Sequence, residues 1–211
     1  MKIYLVRHGL TEENASRVIQ GWNPGTLAAQ GIEQAERLAQ RLKAIRFDAI
    51  YASDSRRAAH TAEIIGQFQA APIQFTPALR ERHMGIYQGR PADEFDQAMA
   101  DSGLPAAEFT PEGGESLEVL RERATSFVYG LRERHLRQTI LLVAHGRWNT
   151  ILLSAILGKS FAEALTLRQT NTCVNILECN ERGEFSVSLL NCAAHLEEEN
   201  ARSIATSADN G

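Results

Sequence analysis

The chain has 211 residues, of which 44% are hydrophobic and 23% charged, a balance that excludes a disordered chain and leaves room for a substantial core. Its formal net charge of −4 lacks the basic excess of a nucleic-acid surface, so an anionic ligand has to be met by a local cluster of Arg and His. Three cysteines, Cys173, Cys179 and Cys192, stand at irregular spacing without a Cys-x-x-Cys pair, which argues against a disulfide framework and fits a reducing compartment.

Lys2 leads at once into Ile3-Tyr4-Leu5-Val6, a short apolar run of β-formers rather than a signal peptide. No apolar stretch reaches membrane-spanning length, so the expected setting is cytoplasmic, with no membrane partner. The first run stops at Arg7-His8-Gly9, as a buried parallel strand ends in a loop. After Gly31, the stripe Ala35, Leu38, Leu42, Ile45 has helical spacing. Residues 47–51 read as a second strand, and Ser53 or Asp54 can cap a helix with Ala58, Ala62, Ile65 and Phe68 on its apolar face. Ile73-Gln74-Phe75 gives a short third strand before Leu79-Arg80-Glu81. Residues 82–114, rich in Gly, Pro and acid residues, read as an insertion covering the sheet's edge, with one helical piece near 92–100. Residues 115–134 form the clearest helix, through Leu117, Leu120, Ala124, Phe127 and Leu131. Residues 139–144 are the strongest strand and end at His145-Gly146-Arg147; a helix to about residue 157 and a closing hairpin at 174–178 and 185–189 follow.

Strands alternating with helices predict an α/β three-layer sandwich around a mostly parallel central sheet. One domain is expected over residues 1–196, with 197–211 as a disordered tail.

Ligands of open α/β sheets bind beyond the carboxyl ends of strands. Two strands here end in a histidine followed by glycine, His8-Gly9 and His145-Gly146, and parallel pairing places both imidazoles at one edge. Glycine after each histidine is expected to let a ligand come close. Arg7 adjoins the first histidine and Arg57 opens the helix after the second strand, two planar forks suited to phosphate oxygens. Asn14, Gln20 and Gly21 offer neutral contacts to the same anion. Glu81 supplies a proton donor.

These residues resemble a known family. Leu5-Val6-Arg7-His8-Gly9 with Thr11 and Asn14 is similar to the signature of the histidine phosphatase superfamily, the phosphoglycerate mutase-like proteins. Gln20-Gly21-Trp22 resembles its substrate loop, and Ser53-Asp54 through Arg57-Ala58 to Thr61-Ala62 its second arginine segment. Leu79-Arg80-Glu81, Gly113-Gly114-Glu115-Ser116 and Val143-Ala144-His145-Gly146 match further segments in the family's order. The resemblance implies a phosphoglycerate mutase-like fold and a phosphatase of small phosphorylated metabolites. It assigns His8 as nucleophile, Glu81 as general acid and base, and Arg7, Arg57 and His145 as holders of the phosphoryl group. Gly9, Asn14, Gln20, Gly21 and Gly146 become substrate contacts, and neither metal nor other cofactor is called for. It implies a monomer or a homodimer. Arg147, Pro24 and Leu27-Ala28 depart from the family's usual residues.

Three rival readings remain open. A phosphoglycerate mutase would use the same groups, although the stretch between Glu81 and Gly113 is short for one. A metal-dependent hydrolase would use His8, His145 and Glu81 as ligands, against the arginine beside the first of them. A non-catalytic phosphate-binding module would not need His8 and Glu81 together.

Overall fold

A computed structural model describes residues 1–197; the expected tail, 197–211, falls outside them but for Glu197. The elements run β1 (Lys2–Arg7), α1 (Glu12–Ala15), α2 (Ala29–Leu42), β2 (Ala49–Ser53), α3 (Arg56–Gly66), β3 (Ile73–Thr76), α4 (Ala92–Asp101) and α5 (Leu117–Arg134). Then come β4 (Thr139–Ala144), α6 (Gly146–Ile156), α7 (Phe161–Thr166), β5 (Val174–Cys179) and β6 (Phe185–Cys192).

The six strands form one sheet in the order β3-β2-β4-β1-β5-β6. The first four in that order pair parallel, and β5 joins β1 antiparallel before folding back on β6. The sheet is covered on both faces, which is why β1, β2 and β4 read as continuous apolar runs instead of alternating ones. The pleat divides those runs between two cores. Ile3, Leu5, Tyr51, Ile140 and Leu142 face α5 and α6, while Val6, Ile50, Ala52, Leu141 and Val143 face α2 and α3. The result is the three-layer α/β sandwich that the alternation predicts.

Several boundaries differ from expectation. Helix α2 begins two residues before Gly31, which is buried in its first turn. Helix α3 is entered from Ser55, whose side chain makes no capping bond, and its apolar face ends at Ile65; Phe68 is exposed. Short α7, opened by a Ser160–Glu163 capping box, lacked a long enough apolar period to be read.

Register places the two strand-end histidines. Arg7 pairs with Ala144 across β1 and β4, and the His8 amide donates to the Ala144 carbonyl at 3.1 Å. The next residue on each strand is therefore a histidine, at the carboxyl edge.

Candidate active site

The His8 and His145 rings lie edge to face with centroids 5.2 Å apart, and both are buried. His8 Nδ1 lies 2.7 Å from the Gly9 carbonyl oxygen. A carbonyl only accepts, so Nδ1 carries the hydrogen and Nε2 keeps its lone pair. Burial first, then the charges of Arg57 and Arg7, hold the His8 pKa well below that of a free imidazole, so the ring is neutral. Burial likewise pulls His145 well below its ordinary value, with Arg57, His8 and Arg7 adding to the effect.

Arg57, just inside α3, is 1% exposed. Its Nη1 donates to the Asn23 and Pro24 carbonyls and its Nη2 to Gly21, at 2.6, 3.2 and 2.8 Å. That clamps the loop at 20–25 and leaves Nε. Arg7 behaves alike: Nη1 donates to the Gln169 carbonyl at 2.6 Å. Burial lowers both guanidinium pKa values, that of Arg57 to about 10.

Buried polar atoms rarely go unpaired, yet several do so here. Arg7 Nε, Arg57 Nε, both ring nitrogens of His145, Asn14 Oδ1 and Gln20 Oε1 have no hydrogen-bond partner among the described residues. Arg7, His8, Asn14, Gln20, Gly21 and Arg57 line a cavity of about 230 Å³. Glu81, Arg82 and Arg147 close one side, and Val18, Ile19, Met84 and Phe95 give it an apolar flank. The donors among these orphans, Arg7 Nε, Arg57 Nε and one His145 N–H, suit an incoming oxyanion beside a free imidazole nitrogen, while the two amide oxygens can only accept.

Glu81, in the loop after β3, sets its carboxylate against the first turn of α6. Its Oε1 accepts the Arg82 and Trp148 amides at 2.9 and 3.0 Å, and Oε2 accepts the Arg147 amide at 3.0 Å. A carboxylate offers about four acceptor positions; the one not taken is on Oε2, the oxygen left to exchange a proton with a ligand.

The structure thus brings together His8, His145, Arg7, Arg57 and Glu81 with Asn14, Gln20 and Gly21. The two glycines after the histidines also have packing roles, and Gly146 lines a hollow beside Glu81 and Arg147. Gly9 does not line the cavity; a Cβ there would lie 2.3 Å from the Gly31 carbonyl oxygen, so its small size serves the contact between the His8 loop and α2. A Cβ on Gly146 would meet Arg7 Nε at 3.3 Å, so that glycine makes room for the guanidinium. His83 packs edge-on against Trp22 and is not part of the lining.

Other residues support the site, Thr61 from the second arginine segment and Asn171 and Arg123 from outside any motif. Thr61 accepts from the Gly9 amide and donates to the Arg57 carbonyl, four residues on from Arg57, a helical spacing that carried a signal. Asn171 donates to the His8 carbonyl at 3.0 Å. Arg123 donates to the Ala78, Arg80 and Glu81 carbonyls while paired with Glu115 at 2.8 Å. Those groups come from separate segments, and nothing in local spacing announces them. Among the described residues no group of three or more His, Cys, Asp or Glu side chains is placed to hold a metal ion, and no helix is long and apolar enough to cross a membrane.

A family model, histidine phosphatase superfamily (branch 1), matches residues 3–193. The protein called probable phosphoglycerate mutase GpmB from Shigella boydii is 34% identical over 185 residues, 86% of each chain. The solved structure of Bacillus stearothermophilus YhfR superposes with a TM-score of 0.86 at 33% identity, over 92% of this chain and 98% of the other. Phosphoserine phosphatase from Entamoeba histolytica, solved in complex with 3-phosphoglyceric acid, gives 0.81 at 26% identity over 92% and 98%.

Proposed function

This chain belongs to the histidine phosphatase superfamily (branch 1), and from that premise we propose that it hydrolyses small phosphomonoesters through a phosphohistidine on His8. The observation that carries the reading is the set of orphaned buried donors, Arg7 Nε, Arg57 Nε and one His145 N–H, around a histidine whose Nε2 lone pair is free.

Neutral His8 attacks phosphorus through Nε2, in line with the bridging oxygen. As the N–P bond forms and the P–O bond breaks, Glu81 Oε2 gives its proton to the departing alcohol. Arg7 Nε, Arg57 Nε and one His145 N–H take up the charge on the phosphoryl oxygens. Glu81 then removes a proton from water, which attacks phosphorus, releasing phosphate and returning His8 to its neutral form. No step calls for a metal. Residues 82–114 serve as the cover of the same domain: the Gly89 and Ala92 amides donate to the Ile19 and Arg17 carbonyls, and the Ile19 amide donates to the Arg90 carbonyl, tying this segment to the stretch that leads into the substrate loop.

Mutase chemistry is the second reading, favoured by the relative called probable phosphoglycerate mutase GpmB. It needs phosphohistidine to be shielded from water until a second hydroxyl attacks. The segment available for that cover here is short, which favours hydrolysis.

The test is a panel of phosphomonoesters with chelator present, read for phosphate release and for isomerisation of phosphoglycerate. Wild type is expected to release phosphate, and His8→Ala to lose at least about 10³-fold in kcat. Full turnover by His8→Ala overturns the scheme, and isomerisation outpacing phosphate release selects the mutase.

A further inference from the structure

Four guanidinium groups line the cavity, and three are tied to main-chain carbonyls. Arg7 holds Gln169 and Arg57 holds the loop at 21–24. Arg82 donates from Nε to Glu115 and from Nη2 to Phe109, at 2.7 and 2.9 Å. The Arg147 guanidinium alone makes no hydrogen bond and no ion pair with a described residue. It is nonetheless partly buried, and burial lowers its pKa from the ordinary guanidinium value, with Glu81 the opposing charge. A cation that has given up water without gaining a partner is costly unless an anion arrives.

Its position says which part of a ligand it meets. The Arg147 amide holds Glu81 Oε2, so the side chain departs from beside the proton donor to the leaving oxygen. Arg147, Glu81 and Arg7 also wall a second hollow of about 290 Å³, which extends over Thr150 and Gln169. The orphaned phosphoryl donors belong instead to Arg7, Arg57 and His145. Arg147 therefore serves the leaving alcohol, and its charge is surplus to what the phosphoryl group requires.

Resting on the phosphatase reading above, we infer that Arg147 is a specificity-determining residue that binds a second oxyanion, carboxylate or phosphate, carried by the leaving alcohol. A fork of donors grips either group in two places and sets the bridging oxygen at Glu81. Substrates are thus phosphorylated hydroxy acids or bisphosphates in preference to phosphorylated neutral alcohols.

Three esters of matched carbon number separate the cases: one with a neutral alcohol, one with a carboxylate, one with a second phosphate. Wild type is expected to favour an anionic ester over the neutral one by about 10- to 100-fold in kcat/KM, the range for a charge-assisted hydrogen bond. Arg147→Met keeps most of the aliphatic stem and removes the charge; it is expected to shrink that ratio to within about threefold of unity, mostly through KM. Arg147→Lys is expected to fall between. The larger ratio in wild type identifies carboxylate or phosphate as the natural group. A ratio that Arg147→Met leaves unchanged, or a wild type with no preference, overturns the inference. Calorimetry with the matching non-hydrolysable phosphonates separates the two readings. Discrimination in binding that Arg147→Met abolishes, in a protein without turnover, supports the subsite and defeats hydrolysis; equal affinity for all three phosphonates defeats the subsite whatever the turnover.

Discussion

A single methyl group tests how the His8 loop is seated. A Cβ at Gly31 would stand 1.9 Å from the Leu10 carbonyl oxygen, and one at Gly9 would meet the Gly31 carbonyl in turn. The main chains of the loop and of α2 therefore touch with nothing between them. Alanine at Gly31 improves helix propensity by about 1 kcal/mol, yet the forced separation should outweigh it. Gly31→Ala is expected to destabilise the protein by about 1–3 kcal/mol in urea unfolding, and an unchanged midpoint would refute the close approach. Arg57 shows a similar economy. Its three bonds hold the loop at 20–25 while Nε stays free, so one side chain both shapes the cavity and keeps a donor for the proposed anion. Residue identity made His8, His145 and Arg57 legible in the sequence, because each stands where an element begins or ends. The reason for Gly9 was not legible, since its neighbour is 22 positions away and belongs to another layer.

At the scale of elements, the loop at 78–81 that carries Glu81, the acid loop of the proposed mechanism, is held from outside the sheet. Arg123 on α5 grips three of the carbonyls from 78 to 81, and Glu115 accepts both from Arg123 and from the His83 amide. Trp22 closes the loop from the other side, its indole N–H donating to the Glu81 carbonyl and Arg80 lying over its ring. Glu81 is thus placed by groups that do not touch the reacting atoms. Glu115→Ala should cost about 1.5–3 kcal/mol of stability, as for a hydrogen bond to a charged group. It should also slow esters of poor leaving groups, which need the Glu81 proton, at least about tenfold more than aryl esters, which need little of it. Equal slowing of both ester types would show that Glu115 does not act through Glu81. The central strands and long helices could be read from their periods, because burial on both sheet faces and on one helix face imposes those periods. Loops such as this one carry no period, and their bonds join segments far apart in the chain.

For the molecule as a whole, buried imidazoles couple folding to pH. His8 and His145 are held well below the ordinary imidazole range by burial and by arginine charges, and His195 is lowered to about 4 by burial and Arg41. In the unfolded chain all three take up protons near about pH 6.5. Between there and their lower folded values the unfolded state binds more protons, so stability is full above about 6.5 and falls as pH falls. Thermal unfolding should show Tm dropping from pH 7 toward pH 5, with a shallower slope in His8→Asn. A Tm that is flat across that interval would contradict neutral buried histidines.

The register that sets Arg7 beside Ala144 has a consequence for how the chain is made. His8 is synthesised well before β4, the strand that ends at its partner histidine, His145. Until β4 slides between β1 and β2, His8 has no neighbouring imidazole, and the acid loop has no helix start to rest on. Such long-range closure belongs to the slow class of folding events. A nascent or truncated chain ending before β4 therefore lacks the pair of imidazoles, which come together in one step, when the last parallel strand is inserted.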